Sequence, residues 1–238
     1  REPRTDGMVL IQGATYHHWL PPKNLCQTGG KGNVESFYID KYETSNREYR
    51  EFLVARNLKA PRLWPADWRD NWNTDWDDLP VVDVSLPEAR AYAEWAGKRL
   101  ITHHEWELAA RGVEGWLLPW QADLENTPMH ANVTSTEAPR GTPSEVWSIY
   151  LRNVRAVQDP RGDETREGVA HMLGNVVEMT DTILTTSGVD PMARVQKGLA
   201  WHLQDFGIAV RLSANGMFGA SRLHSSPWRG IRCAKSID

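Results

Sequence analysis

The pattern of apolar and polar positions predicts short strands, a few helices and long loops. Two apolar runs, Met8–Ile11 and Phe37–Ile39, have the length and composition of short buried strands. Val81–Val84 is a third run of this kind. Residues 194–234 alternate short apolar pieces with Gly and Ser. No repeat or linker clearly divides the chain, and its 238 residues suffice for one large or two small domains.

Two helices joined by a turn give the strongest local signal. Alanines recur at three- and four-residue spacing before Gly97, which is typical of a helix with one buried face. Thr102 stands three residues before Glu105, the pattern of a capping box that starts a second helix. Arg111 and Gly112 suit the last turn and the end of that helix. We expect the tryptophans of this pair, and Arg111, to be mostly buried.

Other stretches predict further elements. Thr44 or Ser45 is expected to cap a helix whose apolar stripe includes Phe52. Ser85 is expected to cap the first helix of the pair, which has a proline in its first turn. The remaining stretches are predicted to be mostly irregular, with a loop-rich region at 113–168, an exposed insertion at 135–145 and a turn or bulge at Gly174-Asn175.

Residues 60–80 carry a tryptophan at every fourth position, interleaved with aspartates. Asn, Asp and Pro in the same stretch favour turns over helix, so we expect a long ordered loop. Two uses of the tryptophans stay open: they fill gaps around the core, or some of them line a binding groove. The four tryptophans are Trp64, Trp68, Trp72 and Trp76.

Composition excludes some classes of function. The net charge is −4, and no basic stretch is dense enough to indicate nucleic-acid binding. No apolar run is long enough to predict a membrane span, and no signal peptide is recognised. Residue 1 is Arg, so we expect a processed chain or an excised domain, either cytoplasmic or held at a cell surface by a missing part. The chain has two cysteines, Cys26 and Cys233, which allow one disulfide bridge but do not predict it.

Separated segments along nearly the whole chain match one family pattern, in the family's order. They are Met8-Val9 with Gly13, FYIDKYETSNREYREF at 37–52, PVVDVS at 80–85, residues 92–112, HANV at 130–133, HMLGNVVEMTD at 171–181, RVQKG at 194–198 and GIRCA at 230–234. The chain thereby resembles the formylglycine-generating enzyme / sulfatase-modifying factor superfamily. The resemblance implies a single α+β domain of C-type lectin-like fold, with little regular structure, long loops and a ligand-facing segment at about 197–234.

The chemistry of the best-known family members is not expected here. Those members bind copper through two cysteines that lie between the KG motif and the following arginine. In this chain that stretch is KGLAWHLQDFGIAVR, residues 197–211, and the cysteine positions fall at about Leu203 and at Gly207 or Ile208. These side chains supply no thiolate for a soft metal. We therefore expect no bound copper and no formylglycine synthesis, and we favour a domain that is not an enzyme.

Calcium is a further implication of the resemblance. Family members with structural calcium bind it through the GN motif, and here Gly174, Val176 and Glu178 match. His171 replaces the leading oxygen donor, and imidazole is a poor ligand for calcium. The alternative role for Glu178 is a buried carboxylate that accepts hydrogen bonds from backbone donors and still holds the turn.

The C-terminal segment is the working face of this fold, and here its surface differs from the family's polar, arginine-rich pattern. The frame of Lys197-Gly198, Trp201, Arg211 and GIRCA persists while other positions change. This favours recognition of a protein or small-molecule ligand. The expected contacts are Trp201, His202, Leu203, Asp205, Phe206, Ile208, Val210, Leu212, Asn215, Phe218, Leu223, His224 and Arg229.

One use of the fold makes recognition more specific. Variable proteins of diversity-generating retroelements have a C-terminal segment altered by adenine-directed mutagenesis, which does not produce Lys, Glu, Gln, Met or Trp. From His202 to Arg229 only Gln204, Met217 and Trp228 lie outside the reachable set, where ordinary composition gives roughly five or six such residues. The alternative is a cysteine-independent oxidative enzyme acting on a peptide or natural product. Its candidate groups are Asp205, His202, His224 and Arg211.

Overall fold

The computed structural model describes residues 6–17, 31–116, 118–120, 131–133, 140–183, 193–202, 218–220 and 225–237. Short strands and four helices occur in this part of the chain. The helices are α1 Asn46–Arg56, α2 Leu86–Trp95, α3 His103–Arg111 and α4 Pro143–Asn153. The strands are β1 Met8–Ile11, β2 Ala14–His17, β3 Lys31–Val34, β4 Phe37–Asp40, β5 Arg99–Leu100, β6 Val177–Ile183, β7 Arg194–Lys197, β8 Phe218–Ala220, β9 Arg229–Gly230 and β10 Cys233–Ser236.

Pairing between distant parts of the sequence builds the sheets. One four-stranded antiparallel sheet has the order β1-β4-β10-β5, so the last strand lies between two early ones. A second four-stranded sheet has the order β8-β7-β6-β9, in which β9 runs parallel to β6. Strands β2 and β3 form a separate hairpin. Both larger sheets therefore depend on residues beyond 228.

Reciprocal capping starts three of the helices. Ser45, Thr102 and Thr142 each accept a hydrogen bond from the backbone N–H three residues later, and the glutamate at that later position accepts one from the backbone N–H of the cap. The capping residues predicted for α1 and α3 are confirmed as Ser45 and Thr102. Helix α2 begins directly after Ser85, as expected. In the helix pair, Trp106 and Arg111 are buried and Trp95 is partly buried.

Helix α4 corrects the prediction of a loop-rich region at 113–168. The helix begins at Pro143, so the exposed insertion expected at 135–145 is wrong for its last three residues. Residues 135–139 of that prediction lie outside the described residues. Thr142 and Glu145 form its capping box, and Pro143 suits its first turn. Its buried face packs into the core through Val146, Trp147 and Tyr150.

The strand predicted at Val81–Val84 is also wrong. The three valines are buried, as expected of an apolar run. However, Asp83 has a φ of 63°, in the left-handed region, which interrupts the extended backbone of a strand. Backbone hydrogen bonds hold the segment instead: the N–H of Val81 donates to Thr44 and that of Asp83 donates to Ser226.

The long ordered loop predicted at 60–80 is confirmed, with one 3-10 turn at Thr74–Trp76. Its indole rings form a row in which ring centroids lie 4.5 Å apart for Trp64–Trp72 and 5.2 Å for Trp72–Trp76. The row continues to Trp147 of α4, 5.4 Å from Trp76. The rings thus fill the space between this loop and α4, which is the gap-filling role.

A buried ion pair joins the sheets to α3. Arg232 lies fully buried, and its Nε is 2.8 Å from Oε1 of Glu178 in β6. Its two Nη atoms donate to the carbonyls of Asp40 and Ala170. The other carboxylate oxygen of Glu178 accepts a hydrogen bond of 2.6 Å from Nε1 of Trp106. Every polar atom at this junction thereby has a partner.

A second polar network holds the turn predicted at Gly174-Asn175, which is confirmed. Asn175 has a φ of 61°, and its Nδ2 donates to Oε2 of Glu43 at 2.7 Å. Its Oδ1 accepts from Nδ2 of Asn132 and from the backbone N–H of Arg155. Burial raises the pKa of Glu43 to about 7, although His171 opposes the rise. One side chain thus ties together three distant segments.

We expect Arg232→Met to lower the free energy of unfolding by about 3–5 kcal/mol, because it leaves the carboxylate of Glu178 buried without a cation. Urea denaturation followed by circular dichroism measures the change. Thr142→Ala, at the exposed cap of α4, serves as the control and should cost about 1 kcal/mol. A loss in Arg232→Met no larger than in this control would contradict the role of the ion pair.

Candidate functional site

The described residues show part of the predicted contact surface. Trp201, His202 and Arg229 are placed with their side chains, and Phe218 is placed in β8. The other expected contacts lie outside the described residues: Leu203, Asp205, Phe206, Ile208, Val210, Leu212, Asn215, Leu223 and His224.

Both flanks of the C-terminal segment attach to the turn at residues 174–177. On one side, the N–H of Trp201 donates to the carbonyl of Asn175 at 3.0 Å. On the other side, the N–H of Val177 donates to the carbonyl of Trp228 at 2.9 Å. Trp201 is completely buried, so its indole belongs to the frame that supports the face.

His202 lies at the edge of this frame, in contact with two indole rings. Its ring centroid is 4.5 Å from that of Trp228 and 5.2 Å from that of Trp201. Burial lowers the pKa of His202 to about 4, so the imidazole is neutral at physiological pH. Its Nδ1 is buried and makes no hydrogen bond within the described part of the chain.

Arg229 and Asp83 form the charged part of the site. The side chain of Arg229 is buried, and its Nε makes no hydrogen bond to the described residues. Burial lowers the pKa of Arg229 to about 10, while the charge of Asp83 opposes that shift. Oδ1 of Asp83 lies 3.5 Å from an Nη atom of Arg62, and its Oδ2 has no partner among the described residues.

The backbone of Ser226 brings these groups together. Its carbonyl accepts hydrogen bonds from the N–H of Asp83 at 3.0 Å and from the N–H of Arg229 at 3.1 Å. Its own Oγ is buried without a partner in the described part. We call Asp83, Ser226, Arg229 and His202 the polar cluster.

A surface groove adjoins the polar cluster through Arg62. The groove follows residues 57–70, has a volume of about 540 Å³, and is lined in part by Trp64 and Trp68. The guanidinium of Arg69 lies 4.5 Å from the ring centroid of Trp68. Two of the four tryptophans therefore line a groove while they also pack against the core.

Sequence reasoning predicted Arg229 and His202 as contacts but missed Asp83 and Ser226. A carboxylate inside the apolar run PVVDVS was an available signal, because a charge in a buried stretch requires an explanation. Nothing in the sequence places residue 83 beside residue 226, since only the fold brings them together.

The carboxylate of Glu178 does not fit a calcium ligand. Both of its oxygens accept hydrogen bonds, from Trp106 and from the cationic Arg232. The alternative role predicted for Glu178 matches this geometry, although side chains and not backbone groups are the donors. At the leading position, Nδ1 of His171 lies 2.7 Å from Asp163. No group of three or more His, Cys, Asp or Glu within the described ranges is placed to hold a metal ion.

One of the two cysteines, Cys233, lies within the described residues. Cys233 in β10 is a free thiol, and burial raises its pKa well above the ordinary value. Cys26 lies outside the described residues, as do Leu203, Gly207 and Ile208 at the expected copper positions. A bridge from Cys26 to Cys233 is not formed in this structure, because Cys233 is free.

The sequence profile described as the sulfatase-modifying factor enzyme 1-like domain matches residues 1–237. The chain belongs to this family. The mouse relative named "Inactive C-alpha-formylglycine-generating enzyme 2" is 33% identical over 242 residues, which cover 85% of this chain and 76% of that protein. The "Formylglycine-generating enzyme" of Thermomonospora curvata is 31% identical over 168 residues, covering 52% of this chain and 55% of the relative.

Solved structures confirm the α+β fold of the family. Treponema denticola variable protein 1 superposes with a TM-score of 0.69 at 14% identity, over 97% of this chain and 95% of that one. CarF superposes with a TM-score of 0.67 at 16% identity, over 97% and 98%. At these identities the likeness concerns the fold alone. No helix among the described residues is long and apolar enough to cross a membrane.

We expect calcium to leave the stability of the domain unchanged, because Arg232 already occupies the carboxylate of Glu178. Melting temperatures in millimolar calcium and in excess EDTA, followed by differential scanning fluorimetry, should agree. Magnesium at the same ionic strength is the control for a general salt effect. A rise in melting temperature that only calcium produces would contradict this expectation and support the site at the GN motif.

Proposed function

We propose that this domain is a non-catalytic recognition module that binds a protein or small-molecule ligand at the face formed by its C-terminal segment. One observation carries the proposal. The frame that flanks the segment is kept and buried, with Lys197, Trp201 and Arg232 inside the domain. The two positions expected to supply copper ligands nevertheless hold no cysteine. A frame that matches the family, combined with a C-terminal segment that lacks the copper-binding cysteines, favours binding over the family's oxidation chemistry.

Buried ion pairs stabilise the frame. Lys197 forms an ion pair with Glu107 of α3, which also pairs with Arg111 at 2.7 Å. Burial opposes ionisation of Glu107, but Lys197 and Arg111 lower its pKa to about 2. These residues therefore belong to the buried frame, where their charges are paired with one another.

The oxidative alternative has no specific support from the described geometry. His202 is the described member of its candidate set, and this imidazole is neutral and packed against Trp201 and Trp228. A general base needs a reacting group and an orienting partner within hydrogen-bond distance. We therefore keep recognition as the single proposed function.

Alanine substitutions at Phe206, Ile208, Leu212 and Leu223 should each lower the melting temperature by no more than about 2 °C, because side chains on a binding face add little to the core. The same four substitutions combined should abolish retention of a partner. The comparison uses immobilised wild-type and variant domains in source-cell extract, with retained proteins identified by mass spectrometry and then tested in purified form.

Trp201→Ala is the matched control for stability, since a fully buried indole should cost about 3–5 kcal/mol. If the segment variants lost as much stability as Trp201→Ala, the segment would be core and the proposal would be wrong. Equal retention of every purified partner by the wild-type domain and the fourfold variant would also reject it.

The retroelement version of the proposal makes a separate prediction about the gene. We expect a second, near-identical copy of the coding segment for residues 201–229, differing only at adenines, beside a gene for a reverse transcriptase. Sequencing the genomic neighbourhood provides the measurement. A neighbourhood without this copy would exclude diversification by a retroelement and leave plain recognition in place.

A further inference from the structure

Two buried arginines, three residues apart, differ in their partners. Arg232 donates to Glu178 and to two backbone carbonyls. Arg229 is only 3% exposed, yet its Nε has no hydrogen-bond partner among the described residues. Folded proteins satisfy nearly all buried polar groups, so a buried guanidinium without a partner requires an explanation.

The Nε of Arg229 is one of several buried polar atoms without a hydrogen bond to the described residues. Oδ2 of Asp83, Oγ of Ser226 and Nδ1 of His202 are also buried without a partner in the described part. The carbonyl of Ser226 joins the backbones of residues 83 and 229, and the ring of His202 packs on Trp228, the neighbour of Arg229. Unsatisfied donors and acceptors thus occur on segments that lie next to one another, as they do where a ligand supplies the missing partners.

The charges of this place do not balance. An Nη atom of Arg62 lies 3.5 Å from Oδ1 of Asp83, and the charge of Asp83 also opposes the lowering of the pKa of Arg229, so one carboxylate interacts with two guanidinium groups. His202 adds no charge at physiological pH, since burial holds its pKa near 4. A single negative charge would neutralise the site. A carboxylate also matches the planar fork of an arginine, to which it binds through two parallel hydrogen bonds.

The polar cluster lies close to solvent. Residues 225–228 are half-buried, and the side chain of Arg62 is 59% exposed. The ring of Trp228 and the neutral imidazole of His202 add an aromatic wall beside the charges. Partly exposed residues therefore border the cluster, and the two rings offer an apolar surface for a small molecule to contact.

We propose that the polar cluster binds the carboxylate of a small organic acid, with Arg229 as the cation that receives it and Asp83 as the acceptor for an adjacent N–H or O–H of the same molecule. This inference rests on the proposed recognition role and adds the class of ligand. N-acetylglycine is the simplest probe, because it has one carboxylate and a neighbouring amide N–H.

Isothermal titration calorimetry of the whole chain tests the proposal. N-acetylglycine should bind, and the neutral N-acetylglycinamide should bind at least about tenfold more weakly, a difference of 1.4 kcal/mol. Arg229→Met should lower the affinity for N-acetylglycine by at least about tenfold. Equal affinity for acid and amide, or an unchanged affinity in Arg229→Met, would overturn the proposal.

The melting temperature of an Arg229 variant shows whether this arginine binds a ligand or stabilises the fold. Met has similar volume and no charge, so Arg229→Met should keep or raise the melting temperature, because it removes a buried cation whose Nε has no hydrogen-bond partner among the described residues. Arg232→Met is the matched control and should lower it. If Arg229→Met melted as early as Arg232→Met, Arg229 would be a structural residue and the proposed subsite would be wrong.

The two proposals fail in different ways. If N-acetylglycine does not bind while partner retention still depends on the C-terminal segment, the carboxylate subsite is wrong and the recognition role stands. If N-acetylglycine binds through Arg229 while no partner depends on the segment, the subsite stands and recognition by the segment is wrong.

Discussion

The ion pair between Glu178 and Arg232 is the interaction on which the rest of the structure depends. It links β6 to the residue before β10, and through Trp106 it fixes α3 against both sheets. Two charges removed from water are costly unless further hydrogen bonds complete their shells. The carbonyls of Asp40 and Ala170 provide those bonds. The pair therefore specifies how separate parts of the chain meet.

Polar groups on the two sides of the turn at residues 174–177 differ in how completely they are hydrogen-bonded. Toward the interior, Asn175 and Glu43 are bonded to several segments. Toward the C-terminal face, Asp83 and Arg229 keep atoms that the described residues leave unsatisfied. Proteins tolerate such local violations where function requires them, because a well-bonded core compensates for their cost.

Local rules predicted a large part of the fold and little of the site. The capping box of Thr102 and Glu105 was recognisable because both residues lie within one helical turn. The same signal at Thr142 lies in a stretch rich in Ser, Thr, Pro and Gly, a composition that favours loops, so α4 was not predicted. The left-handed backbone of Asp83 and its contact with Ser226 depend on tertiary structure, which no periodic pattern contains. Family position alone pointed to Arg229.

The two hydrogen bonds from Trp201 to Asn175 and from Val177 to Trp228 have an evolutionary consequence. They fix the stems of the segment to the same rigid turn, so the distance between the stems is independent of what they enclose. Replacements between fixed stems are therefore expected to leave the position of both stems unchanged. The turn at residues 174–177 thus serves as a common anchor for the two ends of the segment.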